Sequence, residues 1–272
     1  MEEKIALIAS SNDDAGLNMV NFLTSKEDFK ISNRDPLTYE SCKYQSVKLY
    51  LTTRDLLFLE DHYTGELPTS YIFLSRHRSA SGIPSLTCHS TGNFSQDNSY
   101  GGKSNELGIA NPSMLKAYLN ELYRNRSLVP NYQITLEATH HGPTSFKGAV
   151  LFVEIGSGPE QWKDSSAAEV VCNSILKVFH SYQKSASRVA LALGGKHYPE
   201  KLNKLLHETD FSVAYIATKN NLQFINYKMI QQMLARSTER ITHAILDWKG
   251  LGEYKRSVLD AIAKTDLEIV RI

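Results

Sequence analysis

His140 and His141 stand side by side at the end of an apolar, alternating run from Tyr132 to Thr139. Alternation of this kind belongs to a strand, and Gly142-Pro143 then breaks it. The spacing therefore presents two imidazoles where a strand runs out into a loop. Three more candidates share that position. His77 follows the apolar stretch Tyr71 to Leu74, Glu154 ends the run from Ala149 to Ile155, and His197 follows Arg188 to Leu193 behind Gly194-Gly195. His89 lies in a polar stretch able to fold over them. In a parallel α/β sheet, ligands bind in the crevice beyond the carboxyl ends of the strands. Five histidines and one carboxylate are thus expected to gather at one cleft.

The chemistry open to such a set is narrow. Imidazoles with a carboxylate suit Zn²⁺, three or four of them as ligands and one position left for water. Zinc lowers the pKa of that water to roughly 7 and so provides hydroxide at neutral pH. His77, His140, His141, Glu154 and His197 are the expected ligands. Without metal, His77, His140 and His141 form a general acid–base group, with Lys103 or the N–H groups of Gly101 and Gly102 stabilising an oxyanion. No HExxH pair occurs, which excludes the common metalloprotease pattern, and no G-x-S-x-G marks a serine nucleophile. Gly101-Gly-Lys-Ser104 lacks the spacing and preceding strand of a phosphate loop, and reads instead as a substrate-contacting turn. The remaining histidines, His62, His180, His207 and His243, read as structural.

The elements that must position these groups alternate. Ile5–Ala9 reads as a buried strand, followed by turn and N-cap chemistry at Ser10 to Asp14 and a helix over 16–23. Strands are expected over 48–52, 71–74, 132–139, 149–155, 188–193, 213–217, 244–248 and 268–272. Helices are expected over 111–125, 159–184, 200–207, 227–236 and 253–264. This alternation predicts one α/β domain over residues 1–272, a mostly parallel mixed sheet flanked by helices. Residues 79–108, rich in Ser, Gly, Asn and Thr, read as an inserted active-site loop, since so long a stretch without regular structure is usually functional.

Composition narrows the partners. The chain has 272 residues and a formal net charge of +1, so only a local basic patch would grip nucleic acid. Three cysteines without a CxxC pair suit a reducing, cytoplasmic compartment. From the charged start Met1-Glu-Glu-Lys no signal peptide is expected, and no apolar run approaches a membrane span.

Six blocks carry a resemblance that spans the chain: Leu74-Ser-Arg-His-Arg-Ser79, Leu86-Thr-Cys-His-Ser-Thr-Gly-Asn93, Tyr100-Gly-Gly-Lys103, Glu137-Ala-Thr-His-His-Gly-Pro-Thr144, Val153-Glu-Ile-Gly156 and Gly194-Gly-Lys-His-Tyr-Pro199. In this order they resemble the D-aminoacyl-tRNA deacylase of the archaeal and plant type. Lys196 and Cys88 depart mildly from the small or apolar residues expected there. The resemblance implies hydrolysis of the ester joining a D-amino acid to the tRNA 3′ end. It also implies zinc and a phosphorylase/hydrolase-like fold similar to peptidyl-tRNA hydrolases. On it, His89, Tyr100, Gly101, Gly102, Lys103 and Thr144 are expected to bind substrate, with Arg76, Arg78, Lys103 and Lys147 gripping the acceptor end. A monomer is expected. Two other classes stay open from the residues alone. One is another metal-assisted hydrolase or nucleoside phosphorylase-like enzyme, separated by release of free D-amino acid from charged tRNA. The other is a non-catalytic RNA-end binder, separated by indifference to loss of the histidines.

Overall fold

β-branched and leucine-rich runs become the buried strands. Ile5–Ser10 (β1) is buried along its whole length. Asp13 follows it and accepts the Gly16 N–H at 2.8 Å, capping helix Asp14–Ser25 (α1). The computed structural model describes residues 4–26, 29–34, 36–60, 68–181 and 188–272. Next come Phe29–Arg34 (β2), Leu37–Ser41 (β3), Val47–Thr52 (β4), Ser70–Arg76 (β5) and Ser85–His89 (β6). Helix Pro112–Arg124 (α2) starts with a cap from Asn111 to the Met114 N–H. Gln133–Leu136 (β7), Ala149–Gly156 (β8), Pro159–Trp162 (α3) and Ser165–Ser181 (α4) complete the first half. The second half is a plain alternation: Arg188–Leu193 (β9), Glu200–Glu208 (α5), Phe211–Ala217 (β10), Tyr227–Ala235 (α6), His243–Leu246 (β11), Lys255–Ile262 (α7) and Glu268–Arg271 (β12).

The α/β class and the flanking helices agree with the sequence, but the strands form two sheets. The larger runs β2-β3-β4-β1-β5-β8-β6-β7 and the smaller β10-β9-β11-β12. The smaller sheet is parallel throughout. In the larger, β4-β1-β5-β8 and β6-β7 are parallel, while β2, β3 and β4 pair antiparallel and β6 runs antiparallel to β8.

Three expectations are corrected. The stretch 79–108 is not a free loop: Ser85–His89 is a fully buried strand between β8 and β7. The helix expected over 159–184 breaks at Asp164, whose carboxylate accepts the Ser166 N–H at 2.8 Å and so starts α4. Its expected end, Lys184, lies outside the described residues. The hairpin β2–β3 was not expected, because Phe29–Arg34 is exposed beyond its first residue and carries no apolar stripe.

What joins the sheets also builds the site. β7 ends at Leu136, whose N–H goes to the side chain of Asn203 on α5. The chain then changes partners. Glu137 N–H donates to Cys88 of β6, Ala138 N–H to the carbonyl of His197, and Thr139 N–H to Ile216 of β10. Glu137 to Thr139 therefore form a seam between the two sheets, and His140-His141 follow at once.

Candidate active site

The seam opens on a cavity of about 700 Å³, lined among others by His77, Glu137, His140, His141, Glu154 and His197. All five expected ligands thus meet in one place. The cleft is the junction of two sheets and not the edge of one. His77 is delivered by the end of β5 and held there as its N–H donates to Ile155 of β8. Glu154 projects from β8, and His197 arrives on the turn that leaves β9.

Glu137 is the centre of the polar network, with 1% of its side chain exposed. His197 Nε2 donates to its Oε2 at 2.8 Å. His77 Nδ1 lies 3.0 Å from its Oε1 and 3.3 Å from Glu154 Oε2. Burial alone would raise the Glu137 pKa, but hydrogen bonds from His197 and His77 outweigh it and hold the group well below the usual carboxylate range. Burial likewise opposes charge on His77, yet its two carboxylate partners push its pKa up to about 10. In the metal-free protein this pairing favours the imidazolium form of His77. Its other nitrogen, Nε2, lies 2.9 Å from the hydroxyl of Tyr198.

His140 and His141 are held the other way. Burial, reinforced by neighbouring imidazoles, lowers the pKa of His140 well below its ordinary value and that of His141 to about 4. Each uses Nδ1 against a backbone carbonyl, Ala138 at 2.7 Å and Gly142 at 2.6 Å. A carbonyl only accepts, so Nδ1 carries the proton and Nε2 keeps its lone pair. His89 repeats the pattern, with Nδ1 3.3 Å from the Ser90 carbonyl. Ring centroids of His89 lie 4.2 Å from His140 and 4.8 Å from His141.

These donors fall into three overlapping groups able to hold a metal ion: His89–His140–His141, Glu137–His140–His197 and His77–Glu137–Glu154. The first offers three imidazoles with their second nitrogens anchored. Burial opposes charge on His89, but Glu154, 3.7 Å from its Nε2, outweighs it and raises the His89 pKa in the metal-free protein. One buried polar atom in this region, His89 Nε2, has no hydrogen-bond partner. Such an orphan is rare in native proteins, and a bound ion accounts for it. The residues present fit the metal.

The other expected substrate residues are spread more widely. His89 is no lid residue: its side chain is wholly buried behind the histidine pair. Tyr100 does line the cavity and is 69% exposed. Gly101, Gly102, Lys103 and Thr144 are absent from that lining. They build the turn that holds Tyr100. Gly101 has φ +80°, and a Cβ there would lie 1.9 Å from the Leu57 carbonyl oxygen. Gly101 N–H is spent on Asn98, so it is no oxyanion donor. Thr144 Oγ1 accepts the Lys103 N–H at 2.9 Å, while the Lys103 side chain is 67% exposed. Arg76 and Arg78 do reach the cavity. His207 packs on Tyr123, and His243 sits at the opposite end of the smaller sheet from His197. His62 and the side chain of His180 lie outside the described residues.

Glu137 and Tyr198 were missed. Glu137 stood inside an alternating run that reads as strand interior. Its mark was a carboxylate between two apolar positions, Leu136 and Ala138, since an acidic residue is almost never fully buried unless paired.

Residues 64–270 match the family model described as D-aminoacyl-tRNA deacylase. The chain belongs to this family. It is 33% identical over 274 residues to a D-aminoacyl-tRNA deacylase of Thermococcus onnurineus, covering 97% of this chain and 98% of the relative. Identity to the Pyrococcus furiosus protein of the same name is 32% over 275 residues, with the same coverage. Among solved structures, a conserved protein of unknown function superposes with TM-score 0.90 at 26% identity, covering 99% of this chain and 95% of that one.

Proposed function

We propose that this deacylase family member hydrolyses the ester between a D-amino acid and the 3′ end of tRNA, releasing free D-amino acid and tRNA. The observation that carries the reading is the trio His89, His140 and His141. Each imidazole has Nδ1 tied to a carbonyl, and His140 and His141, in front of the buried His89, line a cavity wide enough for a nucleotide end. A zinc ion held by these three would supply Lewis acidity and a more acidic water.

The chain's own residues account for the rest. Glu137 fixes His197 through Nε2, which leaves Nδ1 of His197 with a lone pair. In this reading that Nδ1 takes the proton of the attacking water, an oriented carboxylate–imidazole pair acting as base. His77, held charged by Glu137 and Glu154, donates from Nε2 to Tyr198. Tyr198 Oη then protonates the departing ribose oxygen. Arg76 and Arg78 lie with their guanidiniums 5.7 and 5.5 Å from the Trp162 ring, which braces two cations at the rim for RNA phosphate.

Likeness to phosphorylases and peptidyl-tRNA hydrolases, a cytoplasmic site of action and a monomeric state belong to the same proposal. No described helix is long and apolar enough to cross a membrane. Dialysis against a chelator tests the reading: deacylation of D-alanyl-tRNA is expected to stop and to return with zinc. Full turnover by protein that retains no metal leaves the trio without its assigned role.

A further inference from the structure

The histidine pair is open on two sides. The wide cavity lies on one. On the other is a second cavity of about 170 Å³, whose wall includes Phe94, Asp97, Ser99 and Asn221. Tyr100, His140 and His141 line both, so they form the partition between them. Tyr100 is held there by the glycine turn that packs on the Leu57 carbonyl.

Both cavities carry carboxylates, and of the two only the wide one carries arginines. Among the described residues, the exposed Asp97 is the only formally charged one lining the small cavity. Its Oδ1 accepts the Ser99 N–H at 2.9 Å, and among the described residues it has no cation partner. The wide cavity carries Arg76 and Arg78 on its rim, and its carboxylates are engaged within the protein, Asp13 and Asp55 by backbone N–H groups and Glu137 and Glu154 by His77. An aminoacyl ester of RNA has the matching polarity. Phosphates lie on one side of the scissile carbonyl, and a primary ammonium lies one carbon away on the other.

We propose that the small cavity is the aminoacyl subsite, with Asp97 receiving the substrate's α-ammonium. The nucleotide end then lies in the wide cavity, and the scissile carbonyl rests at the partition beside His140 and His141. The inference rests on the deacylase reading and adds a direction to it. It also supplies a physical basis for chirality. Ammonium, carbonyl and ribose oxygen are each fixed at a separate place, so the Cα hydrogen and side chain have defined directions. Exchanging them drives the side chain of the wrong isomer into a wall, which is selection by exclusion.

The test uses two isosteric substrates, D-alanyl-tRNA and D-lactyl-tRNA. The second carries a neutral hydroxyl in place of the ammonium. Wild-type protein is expected to favour D-alanyl-tRNA about tenfold in kcat/KM, the scale of one hydrogen bond to a charged group. Asp97→Asn keeps a side-chain acceptor for the Ser99 N–H and is expected to abolish that preference. A wild type without preference, or a preference unchanged in Asp97→Asn, overturns the subsite. Tyr100→Ala joins the two cavities and should cut the ratio of D- to L-alanyl-tRNA turnover about tenfold, while Tyr100→Phe preserves it. An unaltered ratio in Tyr100→Ala, or equal loss in both variants, also overturns it. If wild-type protein turns over neither D-substrate, the deacylase reading itself fails and takes the subsite with it. Normal turnover of D-alanyl-tRNA with an indifferent Asp97→Asn removes only the subsite.

Discussion

His197 Nε2 donates to Glu137 Oε2 across 2.8 Å, tying the turn after β9 of the smaller sheet to the residue that follows β7 of the larger. The bond is both a structural clasp and the orienting half of the proposed base. Its removal should therefore show in two measurements. Glu137→Ala leaves two buried imidazoles without their carboxylate, and is expected to cost about 3 kcal/mol in urea unfolding. Glu137→Gln keeps the volume and should fold, with kcat lowered about a hundredfold. A Gln variant with normal kcat removes Glu137 from the mechanism.

Tyr198→Phe deletes a single hydroxyl at a position where the phenol faces His77. The expected effect is a fall in kcat of about a hundredfold with KM nearly unchanged, as for loss of a general acid. A rise in KM alone would make Tyr198 a binding residue.

The His77 pairing gives stability a slope in alkali. Its folded pKa is raised to about 10 from an ordinary 6.5. The folded state thus holds a proton that the unfolded chain has lost between these values. The contribution is complete below pH 6.5 and disappears as pH rises toward 10. In metal-free protein the urea midpoint should fall across that window, and His77→Gln should flatten the curve. A midpoint constant from pH 7 to 10 contradicts the ion pair.

His141 behaves oppositely. Burial and the neighbouring His89 depress its pKa to about 4. In metal-free protein its ring resonances are expected to stay still from pH 8 to 5.5 and to move only near pH 4. A midpoint near 6.5 would mean an exposed imidazole.

Much of this site was legible because five of its residues end apolar runs, and a strand end is a recognisable place. His77, Glu154 and His197 were found this way, although the runs belong to different sheets. Pairing was not legible: alternation of strands and helices does not say which strands meet. Glu137 was hidden by that same alternation, since β7 stops at Leu136 while the pattern runs on to Thr139. Ser85–His89 was hidden by its setting, five residues of strand inside a Ser- and Gly-rich stretch. Thr144 and Gly102 were legible as important but not as structural, because a motif shows that residues belong together and not which of them faces the substrate.

The Tyr100 turn provides a test of that distinction. Gly101→Ala adds a methyl group 1.9 Å from the Leu57 oxygen at φ +80°. It should destabilise the protein by about 2 kcal/mol or more in thermal or urea unfolding. Lys103→Ala, on the exposed side of the turn, should stay within about 0.5 kcal/mol of wild type. The reverse order would mean that the glycine is not what holds the turn.

The most direct test of the account is release of free amino acid from D- and L-alanyl-tRNA by one purified, zinc-loaded preparation at neutral pH. The account predicts turnover of the D-ester at least roughly a hundredfold faster than the L-ester, with His141→Ala losing it. Equal rates for the two isomers, or a His141→Ala variant as fast as wild type, would contradict it.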